Sequence, residues 1–167
     1  MTTEAEIREK FWTSLKSDRT FMLGLSEDRS GHAQPMTAIV EDEEGAPIWI
    51  FSAKDVDLVR QIGEGARGMG QFASKGHDLF ATFEGDLTPV NDRTTIERLW
   101  HPFIAAWYEG KDDPKLQLLR FDPDRAQIWL SDKGLFAGMK LLLSGDPQRD
   151  YQDKVAHTDL SRDVRPS

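Results

Sequence analysis

Leu79-Phe80-Ala81-Thr82-Phe83-Glu84-Gly85-Asp86-Leu87 sets Leu79, Ala81, Phe83 and Leu87 on one face of an extended strand, with glycine where that face would carry one more side chain. A glycine there marks a bulge or bend, so this strand is expected to curve strongly. Upstream, Thr20 to Leu25, Ala33 to Val40 and Ile48 to Ser52 are short β-branched or aromatic-rich runs. Their separators, Asp28-Arg29-Ser30-Gly31 and Asp42-Glu43-Glu44-Gly45, read as hairpin turns. Gly68 to Ser74 adds another strand. Downstream, the turn Gly110 to Pro114 leads into Lys115 to Phe121, and Asp122-Pro123-Asp124-Arg125 reads as the turn of a last hairpin with Ala126 to Leu130.

Helices interrupt this pattern at intervals. Thr3 and Glu6 have capping-box spacing, and Ile7, Phe11 and Leu15 recur on one face, which predicts a helix ending near Ser17. Val56, Val59 and Ile62 predict a second, with Asp55 as N-cap and Gly63 as its stop. Ile96, Leu99, Trp100 and Phe103 lie at i, i+3, i+4 and i+7, but Pro102 breaks the run, so a second short helix capped near His101 and running to Trp107 is expected. A final helix is expected from about Lys133 to Leu143, closing a domain of residues 1–145 before a polar tail, 146–167, that is solvated or drapes a partner. Six or seven strands joined mostly by hairpins, without strict βαβ alternation, argue against a doubly wound sheet and for a mainly β fold: a small antiparallel barrel with peripheral helices. Side chains fill so small a barrel, so a sizeable ligand must lie outside it, in a groove or at a dimer interface.

Composition narrows the function. A formal net charge of -8 without a cluster of bases disfavours nucleic acid and anionic lipid as partners. The longest apolar run, around Leu141 to Leu143, is too short to span a bilayer, and Met1 to Glu9 is acidic without an apolar signal segment, so a cytoplasmic protein with no membrane partner is expected. The chain has no cysteine, which excludes disulfides, Cys-ligated zinc, iron–sulfur clusters and thiol catalysis. His32, His77, His101 and His157 stand apart from one another and no metal site is expected. Gly63-Glu64-Gly65-Ala66-Arg67-Gly68 matches the dinucleotide fingerprint by letter, yet a helix precedes it and a strand follows, the reverse of the order that would present a helix N-terminus to pyrophosphate. No nucleophile elbow or P-loop is present, and Asp112-Asp113 before Pro114 reads as a turn. Five tryptophans, with Trp100 and Trp107 seven apart, serve as core anchors or as walls for a flat ligand.

Several segments together carry a resemblance. They are Gln34-Pro35-Met36, Trp49-Ile50-Phe51-Ser52-Ala53-Lys54-Asp55, Gly85 in its strand, Leu99-Trp100 with Pro102, Ala106-Trp107-Tyr108, Gly110-Lys111-Asp112-Asp113-Pro114, Leu118-Leu119-Arg120 and Ala126-Gln127-Ile128-Trp129. In order and spacing over roughly residues 5 to 131, and more loosely to about 160, the chain resembles the general stress protein 26 group of the pyridoxamine 5'-phosphate oxidase-like, FMN-binding split barrels. The resemblance implies an antiparallel split β-barrel homodimer with FMN in clefts between the subunits. It implies a cofactor site drawn from Gln34, Pro35, Met36, Phe51, Ser52, Ala53, Lys54, Trp107 and Lys111. The family usually has Arg at the position of Gln34, and Ser and Lys at those of Val56 and Leu58, all three serving the flavin phosphate. Losing a fixed guanidinium removes a bidentate charge-assisted contact, so weaker flavin binding than the family norm is expected. The implied function is a flavoprotein of the general stress type, with flavin-dependent oxidoreductase chemistry as the candidate activity. The alternative is a non-catalytic stress or binding protein that keeps the barrel with weakened or lost flavin binding.

Overall fold

The expected capping box opens the chain. Thr3 Oγ1 accepts the Glu6 N–H at 3.2 Å, and Glu6 Oε2 accepts the Thr3 N–H at 3.3 Å. They start α1 (Glu4–Asp18) of the computed structural model, which describes residues 2–27, 32–41, 45–131 and 155–161. The helix buries Ile7, Phe11, Trp12 and Leu15, each contributing roughly 1.5–3 kcal/mol by leaving water. There follow β1 (Thr20–Leu25), β2 (Gln34–Thr37), β3 (Ile39–Val40), β4 (Ile48–Ala53), α2 (Asp57–Ile62), β5 (Ala66–Ala73) and β6 (Leu79–Val90). After them come α3 (Arg93–Leu99), α4 (Pro102–Ala105), β7 (Leu116–Leu130) and β8 (Val155–Asp159).

Every strand pairing is antiparallel, in the order β2-β1-β5-β6-β7-β4-β3, with β8 added to β7. The run expected from Ala33 to Val40 divides at Ala38 into β2 and β3, which lie on opposite edges of the sheet. Because one residue spans those edges, the sheet curls into an antiparallel split barrel, as expected. Its inner face holds Phe21, Phe72, Phe83 and Phe121 around Phe11 of α1, with the Phe83 ring 5.2 Å from Phe11 and 5.7 Å from Phe121. Gly70 makes room for this cluster, since a Cβ there would stand 2.4 Å from the Phe83 ring.

Four further expectations change. Asp122-Pro123-Asp124-Arg125 is not a hairpin turn: β7 is one strand through it, pairing with β6 from Leu79↔Leu130 to Val90↔Leu118. The register passes from Glu84↔Arg125 to Gly85↔Pro123, so Asp124 is the extra residue of a bulge. The Asp124 carboxylate accepts two hydrogen bonds from Arg67 of β5, at 2.5 and 2.9 Å, which pins the bulge to its neighbour. Asp55 does not cap α2, whose N-cap is Val56 without a side-chain hydrogen bond; Gly63, at φ 59°, does end it. The stretch 155–159, expected within a polar tail, is a strand on β7 that buries Ala156, Thr158 and Leu160 along its inward side. The short helix after Pro102 forms, capped by His101 Nδ1 accepting the Phe103 N–H at 3.3 Å, but ends at Ala105 rather than at Trp107. The helix expected from Lys133 to Leu143 lies outside the described residues.

The bend at Gly85 leaves no room for a side chain, since a Cβ would stand 2.0 Å from the Asp122 carbonyl oxygen. Gly85→Ala should therefore cost about 3 kcal/mol or more in denaturant unfolding, because backbone rather than a side-chain tip must move. Gly65→Ala, whose Cβ would meet only the Leu87 carbonyl oxygen at 3.6 Å, should stay within about 0.5 kcal/mol of the parent. Equal losses in the two variants would show that the Gly85 approach does not hold the bend.

Candidate functional site

Along the seam where β2 gives way to β3 runs a cleft of about 280 Å³. Its floor and near wall are Pro35, Met36 and Thr37 of β2, Ile39 of β3, and Phe51 and Ala53 of β4. The far wall is Phe103 and Ile104 of α4, followed by Trp107 and Tyr108. Pleat alternation explains the β4 contribution: Ile48, Ile50 and Ser52 turn into the barrel, while Trp49, Phe51 and Ala53 turn outward. Outside the barrel, Trp49, Leu99 and Leu118 form a small cluster that seats α3, and Trp100 stands edge-on to Phe51 at 5.9 Å. Pro102 then starts α4 in a new direction. The turn after it, with the Trp107 N–H donating to the Ile104 carbonyl at 3.0 Å, carries the indole over the seam. Trp107 remains 78% exposed and Phe103 41% exposed.

The polar side-chain groups of the lining are the Thr37 and Tyr108 hydroxyls and the Trp107 indole N–H; the rest is apolar. Burial pushes the Tyr108 phenol above its ordinary pKa, and the carboxylates of Asp113 and Asp55 add to the shift. Asp113 is held below the usual carboxylate range because it accepts the N–H groups of Glu109 and Lys115, at 3.0 and 2.9 Å. Among the described residues no group of three or more His, Asp or Glu side chains is placed to hold a metal ion, and no helix is long and apolar enough to cross a membrane.

A family model described as pyridoxamine 5'-phosphate oxidase like matches residues 6–145. The chain belongs to that family. A general stress family protein from Xanthomonas campestris pv. campestris is 54% identical, over 81% of this chain and 94% of its own, with a TM-score of 0.74. A protein from Xanthomonas citri described as a general stress FMN/FAD binding protein is 55% identical over 78% and 93%, with a TM-score of 0.73. General stress protein 26 from Jannaschia sp. CCS1, 23% identical over 96% and 100% at a TM-score of 0.74, shares the fold. Among curated proteins no match was found.

Of the residues that the family resemblance implied, Pro35, Met36, Phe51, Ala53 and Trp107 come together in the cleft. Gln34, Ser52, Lys54 and Lys111 are not part of its lining. Gln34 begins β2 opposite Leu23 and is partly buried, and Ser52 is buried on the inward face of β4. Lys54 is exposed, its N–H donating to the Lys115 carbonyl at 2.8 Å, and Lys111 is half-buried in a turn whose carbonyl accepts Arg93 Nη1 at 3.5 Å. Sequence reasoning had not assigned Thr37, Ile39, Phe103, Ile104 or Tyr108 to the site. A signal existed for two of them: once Pro102 begins a helical turn, Phe103 and Ile104 precede Trp107 by four and three residues, on the same side.

Tyr108 is one of two tyrosines, so the ultraviolet pH titration of the parent minus that of Tyr108→Phe isolates its phenol. It should ionise above the ordinary value of about 10. Ionisation at or below that value would remove burial and the Asp113 and Asp55 charges as the influences that govern it.

Proposed function

We propose that this chain is an FMN-binding flavoprotein of the general stress type, a cytoplasmic homodimer with a flavin in each seam cleft. The observation that carries the reading is the aromatic cleft itself, in a member of a family whose Xanthomonas citri relative is described as FMN/FAD binding. The residues fit the ring system of a flavin: Phe51, Phe103 and Trp107 offer apolar faces, while Thr37 and Tyr108 offer hydroxyls to its polar edge. Trp107 and Phe51 would shield the ring from water, and Tyr108, a neutral phenol at physiological pH, would be a hydrogen-bond donor there. A bound flavin supplies one- and two-electron redox chemistry, which makes oxidoreductase activity the candidate function.

The protein purified without added flavin, then titrated with FMN, should develop a shifted and structured visible band. Trp107→Ala should weaken FMN by about tenfold, in line with the roughly 0.5–1.5 kcal/mol of an aromatic pair plus lost burial. A parent protein that leaves the FMN spectrum unchanged would favour the second reading, a stress protein without flavin. That reading draws on Leu58, which is 4% exposed in the core where the family carries a phosphate-binding lysine.

The dimer rests on two features. A cleft of about 280 Å³ is at or below the lower limit of ligand sites, about 300 Å³, so another wall is needed to enclose a flavin. Large apolar side chains also stand exposed on the outer face, Met22 at 38% and Phe80 at 41%, besides Trp107. Light scattering at micromolar concentration should give twice the chain mass of 19.0 kDa; the single-chain mass would overturn the shared site.

A further inference from the structure

We infer that the seam cleft recognises a flavin by its ring alone and leaves the phosphate ungripped, so that riboflavin and FMN bind with nearly equal affinity; this rests on the flavin-binding reading above. Among the described residues the cleft lining has no charged side chain. The positions that serve a phosphate elsewhere in the family are emptied of charge or turned away. Gln34 is neutral, Val56 is apolar, and Leu58 is packed in the core with Ile62.

Four guanidinium groups outside the lining are already engaged. Arg60 pairs with Asp57, Arg93 with Asp112 and with Glu97 at 3.0 Å, and Arg98 with Glu41 at 3.0 Å. Arg120 pairs with Asp122 at 2.8 Å and lies 5.8 Å over the Trp49 ring. Drawing any of them to a ligand would break an existing pair. The first turn of α2 carries Asp57, which is already paired with Arg60, and this six-residue helix has little dipole to offer an anion.

Carboxylates meanwhile bear on the cleft from one end. Asp55 and Asp113 both act on the Tyr108 phenol in its wall, and Asp113 is fixed in place by two backbone N–H groups. A phosphate, close to dianionic at neutral pH, gains little from leaving water beside these carboxylates, although Lys115 acts on Asp113 from the same end. Lys54 and Lys115, on adjacent strand ends, are exposed and hydrated, a setting in which an ion pair is worth little. The phosphate's best position is in solvent, and ring burial carries the affinity.

The test titrates the full-length protein, freed of bound flavin, with riboflavin, FMN and FAD at low and at high salt. One charge-assisted hydrogen bond to the phosphate would favour FMN over riboflavin by about tenfold or more. The expected result is a ratio of dissociation constants below tenfold, with the FMN value responding to salt no more than the riboflavin value does, and FAD within the same range. FMN binding more than tenfold tighter than riboflavin, with a steep salt dependence, would overturn the inference and leave the flavin reading standing, the cations then coming from the partner copy or from residues outside those described. Failure of all three to bind would overturn the flavin reading itself, and the inference with it.

Discussion

Thr37 and Ile39 belong to strands on opposite edges of one sheet, and only Ala38 lies between them. No flat sheet meets that condition, so β1, β5, β6, β7 and β4 must curl until the edges come within one residue of each other. The Ala38 N–H donates to the Arg19 carbonyl, which ties the crossing point to the end of α1. Curling demands a strand that bends, and the bulge of Asp124 opposite Gly85 supplies it. It also demands an interior that admits five phenylalanine rings, which the missing side chain of Gly70 allows. The cleft follows from the same condition, because it lies along the line where the two edges meet and, among the described residues, no further strand continues either of them.

Much of this could be read from the letters where local chemistry and tertiary context agree. The capping box at Thr3 and Glu6, the bounds of β1, the break at Gly85 and the helix restart at Pro102 are all of that kind. Asp122 to Arg125 failed because proline and aspartate favour a turn only until something stronger competes. Twelve residues of β6 pair with β7 on both sides of that stretch, and Arg67 neutralises the one carboxylate left unpaired by the ladder. The strand at 155–159 was hidden because only one of its faces is buried. His157 and Asp159 point to water, and the resulting mixture of polar letters reads as tail.

The site was harder to read for a different reason. In β4 both faces are covered, Ile48 and Ile50 by the barrel and Trp49 and Phe51 by α3 and its neighbours. A strand apolar on both sides shows no alternation, so nothing in Trp49 to Ala53 says which side chains face the cleft. The family pattern placed Ser52 and Phe51 together in the site, yet adjacent residues on a strand point in opposite directions. Only the register with β7, Phe51↔Leu118 and Ser52↔Gln117, sorts one from the other.

The pairing of β8 with β7 has a consequence for the order in which the molecule forms. Thr158 Oγ1 donates to Glu4 Oε1 at 2.6 Å across 154 positions of sequence, and Arg8 Nη1 donates to the Asp159 carbonyl at 3.3 Å across 151. The Leu160 N–H reaches the carbonyl of Asp124, the bulge residue itself. Contacts so distant along the chain carry the largest loop-closure entropy and gain little until both partners are already ordered. During synthesis α1 and seven strands leave the ribosome before β8 exists, so the barrel can close around its phenylalanines with one side of α1 still bare. β8 is then a latch fitted to a body already formed: it is made after β1 to β7, and its register is dictated by a bend that two other strands have already set.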